Sequence, residues 1–149
     1  MRRKYILILM LPLIALGGCG EPQDTRPGTP VAHRRAAFAK ILRTFEPMGV
    51  KLRKGQYDAA QFHAHAKELV AVRDLPWEYF GPDTNYPPSH AKERVWSEPA
   101  LFDVKRKAFF EASDRLLSAT GGGADVKLVT QAYEAVHESC RDCHKAFKD

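Results

Sequence analysis

Near the C-terminal end of the chain, residues 139–147 read SCRDCHKAF. On a helix Cys140 and Cys143 stand at i and i+3, and His144 at i+4 from the first, so all three face one way. Two thiols and an imidazole so placed suit the attachment of a haem. The thiols add to its two vinyl groups, and the imidazole binds the iron from one side. C-x-x-C-H is the attachment signal for c-type haem. Other chemistries use the same residue types. Zinc needs further ligands, and no second Cys/His cluster of suitable spacing exists in the chain. A thiol redox pair normally follows a strand at a helix start, whereas this motif closes a C-terminal helix. A simple disulfide suits an oxidising compartment. Helical phase, the adjacent histidine and the export signal together favour one covalent haem c, held by Cys140 and Cys143 with His144 on the iron.

Export is read from the other end. Arg2, Arg3 and Lys4 precede an apolar run from Tyr5 to Leu16, too short to remain as a bilayer-spanning helix. Leu16-Gly17-Gly18-Cys19 resembles a bacterial lipoprotein signal. On that reading residues 1–18 are removed, and Cys19 is acylated as the mature N-terminus. The protein is then anchored on the periplasmic side of a bacterial membrane, preferentially the outer one. An ordinary secretory signal, the alternative, would leave it soluble in the periplasm.

Loss of the signal also changes the charge argument. The full chain has 23 Lys and Arg against 18 Asp and Glu, a net charge of +5. Without Arg2, Arg3 and Lys4 the balance is 20 against 18, or +2. The pI of 9.2 therefore does not support nucleic acid as a partner.

The remaining chain must position the motif, and its length suits one domain with a substantial core. Residues 19–30, rich in Pro, Gly and polar types, read as a flexible tether. Helical spacing then begins at Val31, with Phe38, Ile41, Leu42 and Phe45 on the apolar stripe. Pro47 is expected to end or kink this helix. A second helix starts at Asp58, with Gln61 in capping-box spacing and a stripe of Phe62, Ala66, Leu69 and Val72. Residues 74–99 form a long connection whose aromatics, among them Trp77, Phe80 and Trp96, suit packing over a core or ligand edge. A third helix runs from Pro99 to Ala119 with Phe102, Phe109, Ala112 and Leu116 on one face, and Gly121–Gly123 stop it. Asp125 caps a fourth, whose stripe passes through Val126, Val129, Tyr133 and Val136 to Cys140, Cys143 and Phe147. No useful β-alternation appears. The fold class is all-α: an antiparallel four-helix bundle over 31–149.

Over roughly residues 33–148 the chain resembles the cytochrome c prime family of class II c-type cytochromes, which are four-helix bundles. The resemblance is carried by YDAAQF, LPWEYFGP, VWSEPALF and SCRDCHKAF. It implies a five-coordinate haem iron that binds nitric oxide or CO, and frequent homodimerisation through the first two helices. In HRRAAFAKI, Arg34 matches the family's arginine to a haem propionate. Phe38, one turn on, matches the residue over the open iron face, where the family often has leucine. Phenylalanine cannot ligate iron. Lys148 stands where the family commonly has arginine, and it lacks the planar guanidinium fork.

Electron-transfer haems commonly have a second ligand such as methionine. After signal removal only Met48 remains, at the far end of the first helix. His33, His63, His65 and His137 read as solvated or haem-edge positions. A peroxidase would need a distal His/Arg pair, and none is recognisable. The resulting expectation is an exported monohaem protein that handles nitric oxide, with an unidentified redox partner. A simple electron carrier is the alternative.

Overall fold

The four long apolar stripes become four long helices in the computed structural model, which describes residues 22–123 and 125–149. The lipoprotein-type signal and Cys19 lie outside the described residues. The long helices are α1 (Pro30–Arg53) and α2 (Ala59–Val72), then, after a one-turn α3 (Arg94–Ser97), α4 (Pro99–Ala119) and α5 (Val126–Phe147). The chain packs α1 on α2, α2 on α4 and α4 on α5, and α5 closes against α1. This is an all-helical bundle.

The start of α1 shows how local chemistry fixes a helix end. The first N–H groups of any helix lack intrahelical partners. Pro30 has no N–H, and its fixed φ suits the first turn. Val31 and Ala32 donate to Oδ2 of Asp24 at 2.8 and 3.2 Å. His33 N–H reaches the Thr29 carbonyl at 3.0 Å. Asp24 also accepts from the Tyr86 hydroxyl at 2.8 Å, and the Arg26 guanidinium lies 4.0 Å from the Tyr86 ring centre. Within the segment expected to be a tether, residues from Asp24 onward are thus pinned to α1 and to the connection.

Pro47 lies inside α1 and does not end it. Arg43, whose carbonyl loses its backbone donor, is exposed to water. Beyond the proline Met48 is fully buried and Gly49 is buried too, so packing carries the helix onward. Tyr133 of α5 explains the glycine. A Cβ on Gly49 would fall 2.0 Å from the Tyr133 hydroxyl oxygen, while the Tyr133 ring stacks on Phe45 with centres 4.4 Å apart.

The core joins Ile41, Phe45 and Met48 to Phe62, Ala66 and Leu69, with Phe109, Leu116 and Val136 completing it. Each of the larger side chains contributes on the order of 1.5–3 kcal/mol by burial, and the methyl of Ala66 about 0.8 kcal/mol. Two stripe positions depart from expectation: Leu42 is 47% exposed and Val126 is 43% exposed. Val126 is the first residue of α5, and the buried face of the helix begins three residues on, at Val129. Leu42 borders the cavity described below.

At the remaining ends, the Asp58 side chain caps α2 by accepting from Gln61 N–H at 2.8 Å. The Gln61 side chain turns to Lys51 instead of completing the capping box. Gly122 and Gly123, with φ of 61° and 86°, make the turn after α4 in a conformation other residues rarely adopt.

Candidate functional site: an aromatic cavity facing the CxxCH helix

The motif is delivered by the last turns of α5. Asp125 fixes the start of this helix by accepting from Lys127 N–H at 2.8 Å. Val129, Tyr133, Val136 and Phe147 are its buried face. That phase leaves Cys140 and Cys143 half-buried and His144 open to a cavity of about 360 Å³. Across the cavity α1 contributes Arg34 and Phe38. The structure therefore brings together all five residues singled out between the two ends of the chain. A more open cleft between Pro22–Asp24 and the Ala32–Ala39 flank of α1 holds none of the motif.

The thiols are free, and the site keeps them protonated. Burial first, and then the neighbouring Cys143, pushes Cys140 up to about 11. Burial and Asp142 raise Cys143, against a smaller opposing pull from Lys105. A thiol redox centre needs an accessible thiolate, and these surroundings work against one. His144 moves the other way: burial and then the charge of Lys148 lower its pKa. Solvent reaches its ring through the cavity, yet the packed surroundings still favour neutral imidazole, the form that ligates metals. Among the described residues no group of three or more His, Cys, Asp or Glu side chains could hold a metal ion.

Arg34 supplies the test of whether a haem fits. It is only 4% exposed, and its guanidinium donates to the Tyr79 carbonyl at 3.0 Å and Ser89 Oγ at 2.7 Å. Longer contacts reach Thr84, and the Phe80 ring centre lies 4.4 Å away. All of these partners are neutral, and no carboxylate lies within ion-pair distance of Arg34 among the described residues. Burial lowers the Arg34 pKa against smaller opposing pulls from Tyr86 and from the more distant Asp24 carboxylate, and a buried cation on a cavity wall is costly without a nearer counter-charge. A propionate of a haem held by Cys140 and Cys143 would supply one. The apolar aromatic lining suits the macrocycle, so the residues present fit the group.

The connection builds the rest of the wall. Trp77, held by its Nε1–H to the Arg73 carbonyl at 2.7 Å, meets Phe38 edge-on at 5.6 Å. Phe80 approaches Phe38 at 6.3 Å. Beneath the motif, Lys92 N–H donates to the Phe147 carbonyl and Asp149 N–H to the His90 carbonyl, both at 2.9 Å. These bonds tie the connection to the C-terminal end of α5. Lys148 caps that end through its N–H to the His144 carbonyl at 2.9 Å, and its side chain is exposed.

The other histidines stand elsewhere. His33 is exposed and stacks on Tyr79 at 5.2 Å. His137 is exposed and stacks on Tyr133 at 6.4 Å. His63 is half-buried, not fully solvated, with Nδ1 3.2 Å from Thr120 Oγ1, and His65 is half-buried on α2. Trp77 and Phe80, expected among the aromatics of the connection to pack over a core or ligand edge, line the cavity, and so does His90, which no spacing singled out. They sit in a proline-rich connection with no periodicity, where only the density of aromatics hinted at a wall.

The family model described as Cytochrome C' matches residues 29–148. Cytochrome c' of Alcaligenes xylosoxydans xylosoxydans is 34% identical over 128 residues, covering 85% of this chain and 98% of that protein. Among solved structures, cytochrome c prime from Shewanella frigidimarina superposes with a TM-score of 0.78 at 29% identity, covering 84% of this chain and 98% of that one. A nitric oxide complex of a variant of the Alcaligenes xylosoxidans protein gives a TM-score of 0.76 at 32% identity, covering 85% and 99%. The chain belongs to the cytochrome c prime family of four-helix bundles that carry covalently bound haem c.

Proposed function

We propose that the protein binds nitric oxide or CO at a monohaem centre in which Cys140 and Cys143 hold the macrocycle and His144 is the sole protein ligand. When bound, the haem supplies an iron with one position open to a diatomic gas. The observation that carries this reading is the meeting of His144 and Phe38 on one cavity, because the phenyl ring has no lone pair to offer. Met48, the methionine a six-coordinate carrier would use, is fully buried in the bundle core and is not among the cavity's lining residues. A related protein solved as a nitric oxide complex supports the choice of ligand.

The physiological work is nitric oxide handling, limiting its toxicity or passing it on, with electrons from a redox partner. Acylation of Cys19 anchors the protein at the periplasmic face of the outer membrane. Homodimerisation through α1 and α2 is carried over from the family, and the exposed Val50 of α1 is an apolar residue available to it.

An anaerobic spectrum of the reduced protein, with and without nitric oxide, tests the centre. A five-coordinate spectrum that changes on adding the gas is expected. A six-coordinate spectrum indifferent to it would favour the simple electron carrier.

A further inference from the structure

We infer that the strap from Asp24 to Thr29 holds the anchored protein with the N-terminal half of α1, and so the rim of the haem cavity, against the phospholipid surface. This rests on the reading of Cys19 as acylated. The strap is fixed at several points. Asp24 accepts from Val31 N–H, Ala32 N–H and the Tyr86 hydroxyl at 2.8, 3.2 and 2.8 Å. Arg26 donates to the Asp83 carbonyl at 3.3 Å and covers the Tyr86 ring.

Docking shortens the leash. Between Cys19 and Asp24 stand only Gly20, Glu21, Pro22 and Gln23. Five extended peptide steps reach at most about 18 Å, whereas a free segment running to Pro30 would reach about 40 Å. Pro22 and Gln23 border a cleft against Ala32, Ala36 and Ala39, so the chain leaves along the flank of α1. The neighbouring positions Arg34, Arg35, Phe38 and Ala39 line the haem cavity. The leash therefore ends beside the cavity, not at the far end of the bundle. A gas dissolved in the bilayer would meet the site without crossing much of the periplasm.

The test uses mature, acylated, haem-loaded protein, beginning at Cys19, in phosphatidylethanolamine and phosphatidylglycerol vesicles. A headgroup-linked fluorophore whose emission the haem absorbs reports the distance from haem to bilayer. One variant carries eight Gly/Ser residues between Gly20 and Glu21, adding about 28 Å of reach. A second, Asp24→Ala with Tyr86→Phe, releases the strap. Wild type should quench strongly, and both variants should quench several-fold less while staying vesicle-bound. Equal quenching by wild type and the insertion overturns the inference. So does a loss confined to the insertion, because the strap would then not be what shortens the leash. If the strap variant does not fold, the insertion leaves the strap intact and decides alone. Protein without acyl chains by mass refutes the anchor and the stance together; acylated protein with unchanged quenching refutes only the stance.

Discussion

The indole of Trp77 meets the ring of Phe38 edge-on, with centres 5.6 Å apart and planes at 89°. Trp77 is itself held to the Arg73 carbonyl, so a side chain from the connection sets where an α1 side chain can stand. Edge-to-face pairs contribute about 0.5–1.5 kcal/mol beyond burial, enough to bias a rotamer. If Phe38 crowds the gas position, Phe38→Ala should speed CO association after flash photolysis. Trp77→Leu should speed it less, by loosening Phe38 without removing it. Unchanged kinetics in Phe38→Ala would show that this ring does not guard the site. The lining near Phe38 offers no hydrogen-bond donor from that ring, so wild type should take up nitric oxide strongly, CO weakly and O2 not detectably.

Covalent attachment makes a separate prediction. Cys140 and Cys143 lie on the cavity with His144 beside them. Acid-acetone should leave the haem on denatured wild-type protein, and intact mass should show one added haem. Cys140→Ala with Cys143→Ala should yield extractable or absent haem and a poorly folded bundle, as the group fills much of the interior. Haem stripped from wild type by acid-acetone would disprove thioether attachment.

The sequence made the helices legible where a stripe meets a partner along its whole length. The expected third helix and α4 share the bounds Pro99–Ala119, because Pro99 and the glycine run punctuate both ends. Phe62, Ala66 and Leu69 are buried as their spacing requires. Of the two outcomes expected of Pro47, an end to the helix does not occur, because local propensity cannot register the burial of Met48 and Gly49 beyond it. Leu42 misled because a stripe residue can face a cavity as well as a core. The partners of Arg34 at Tyr79, Thr84 and Ser89 are 45–55 residues away in sequence, so spacing on α1 could nominate Arg34 but not show what holds it. Asp24 sits in a segment whose composition says tether, and only its hydrogen bonds reveal an anchor.

Gly49 gives a prediction about packing. Alanine there gains up to about 1 kcal/mol of helix propensity. Its Cβ would lie 2.0 Å from the Tyr133 hydroxyl oxygen and 2.7 Å from the ring carbon that bears it. Overpacking of that kind costs about 1–3 kcal/mol, so Gly49→Ala should lower stability to denaturant on balance. Tyr133→Phe in the same chain should restore part of the loss, since it removes the nearer atom. Full stability in Gly49→Ala would mean that α5 shifts without cost.

Arg34 should prove hard to replace. Arg34→Leu leaves the half-buried Tyr79 carbonyl without this donor and Ser89 Oγ with only Ala91 N–H, and a stranded acceptor costs up to about 1–3 kcal/mol. Arg34→Lys should recover only part, because an ammonium cannot span both sides of the cluster as the guanidinium does. Both losses should appear as lower Tm of the holoprotein. A wild-type Tm in Arg34→Leu would show that the connection is held without this residue.

Asp24 links the strap to pH. Burial acts to raise its pKa, but the Tyr86 hydroxyl and the N–H groups of Arg26, Ala32 and Val31 outweigh it and hold the carboxyl below 3.8. A carboxyl depressed in the folded state adds stability above its unfolded pKa and loses it as pH falls through the folded value. Asp24→Ala should therefore be less stable than wild type at neutral pH, with a gap that stays constant down to about pH 4 and narrows below it. Tyr86→Phe removes one of the bonds that depress the pKa, so its gap should be smaller and close over the same range. Denaturant unfolding of the three proteins between pH 7 and pH 3 measures this. A gap that widens on acidification would mean that the carboxylate is not what fastens the strap.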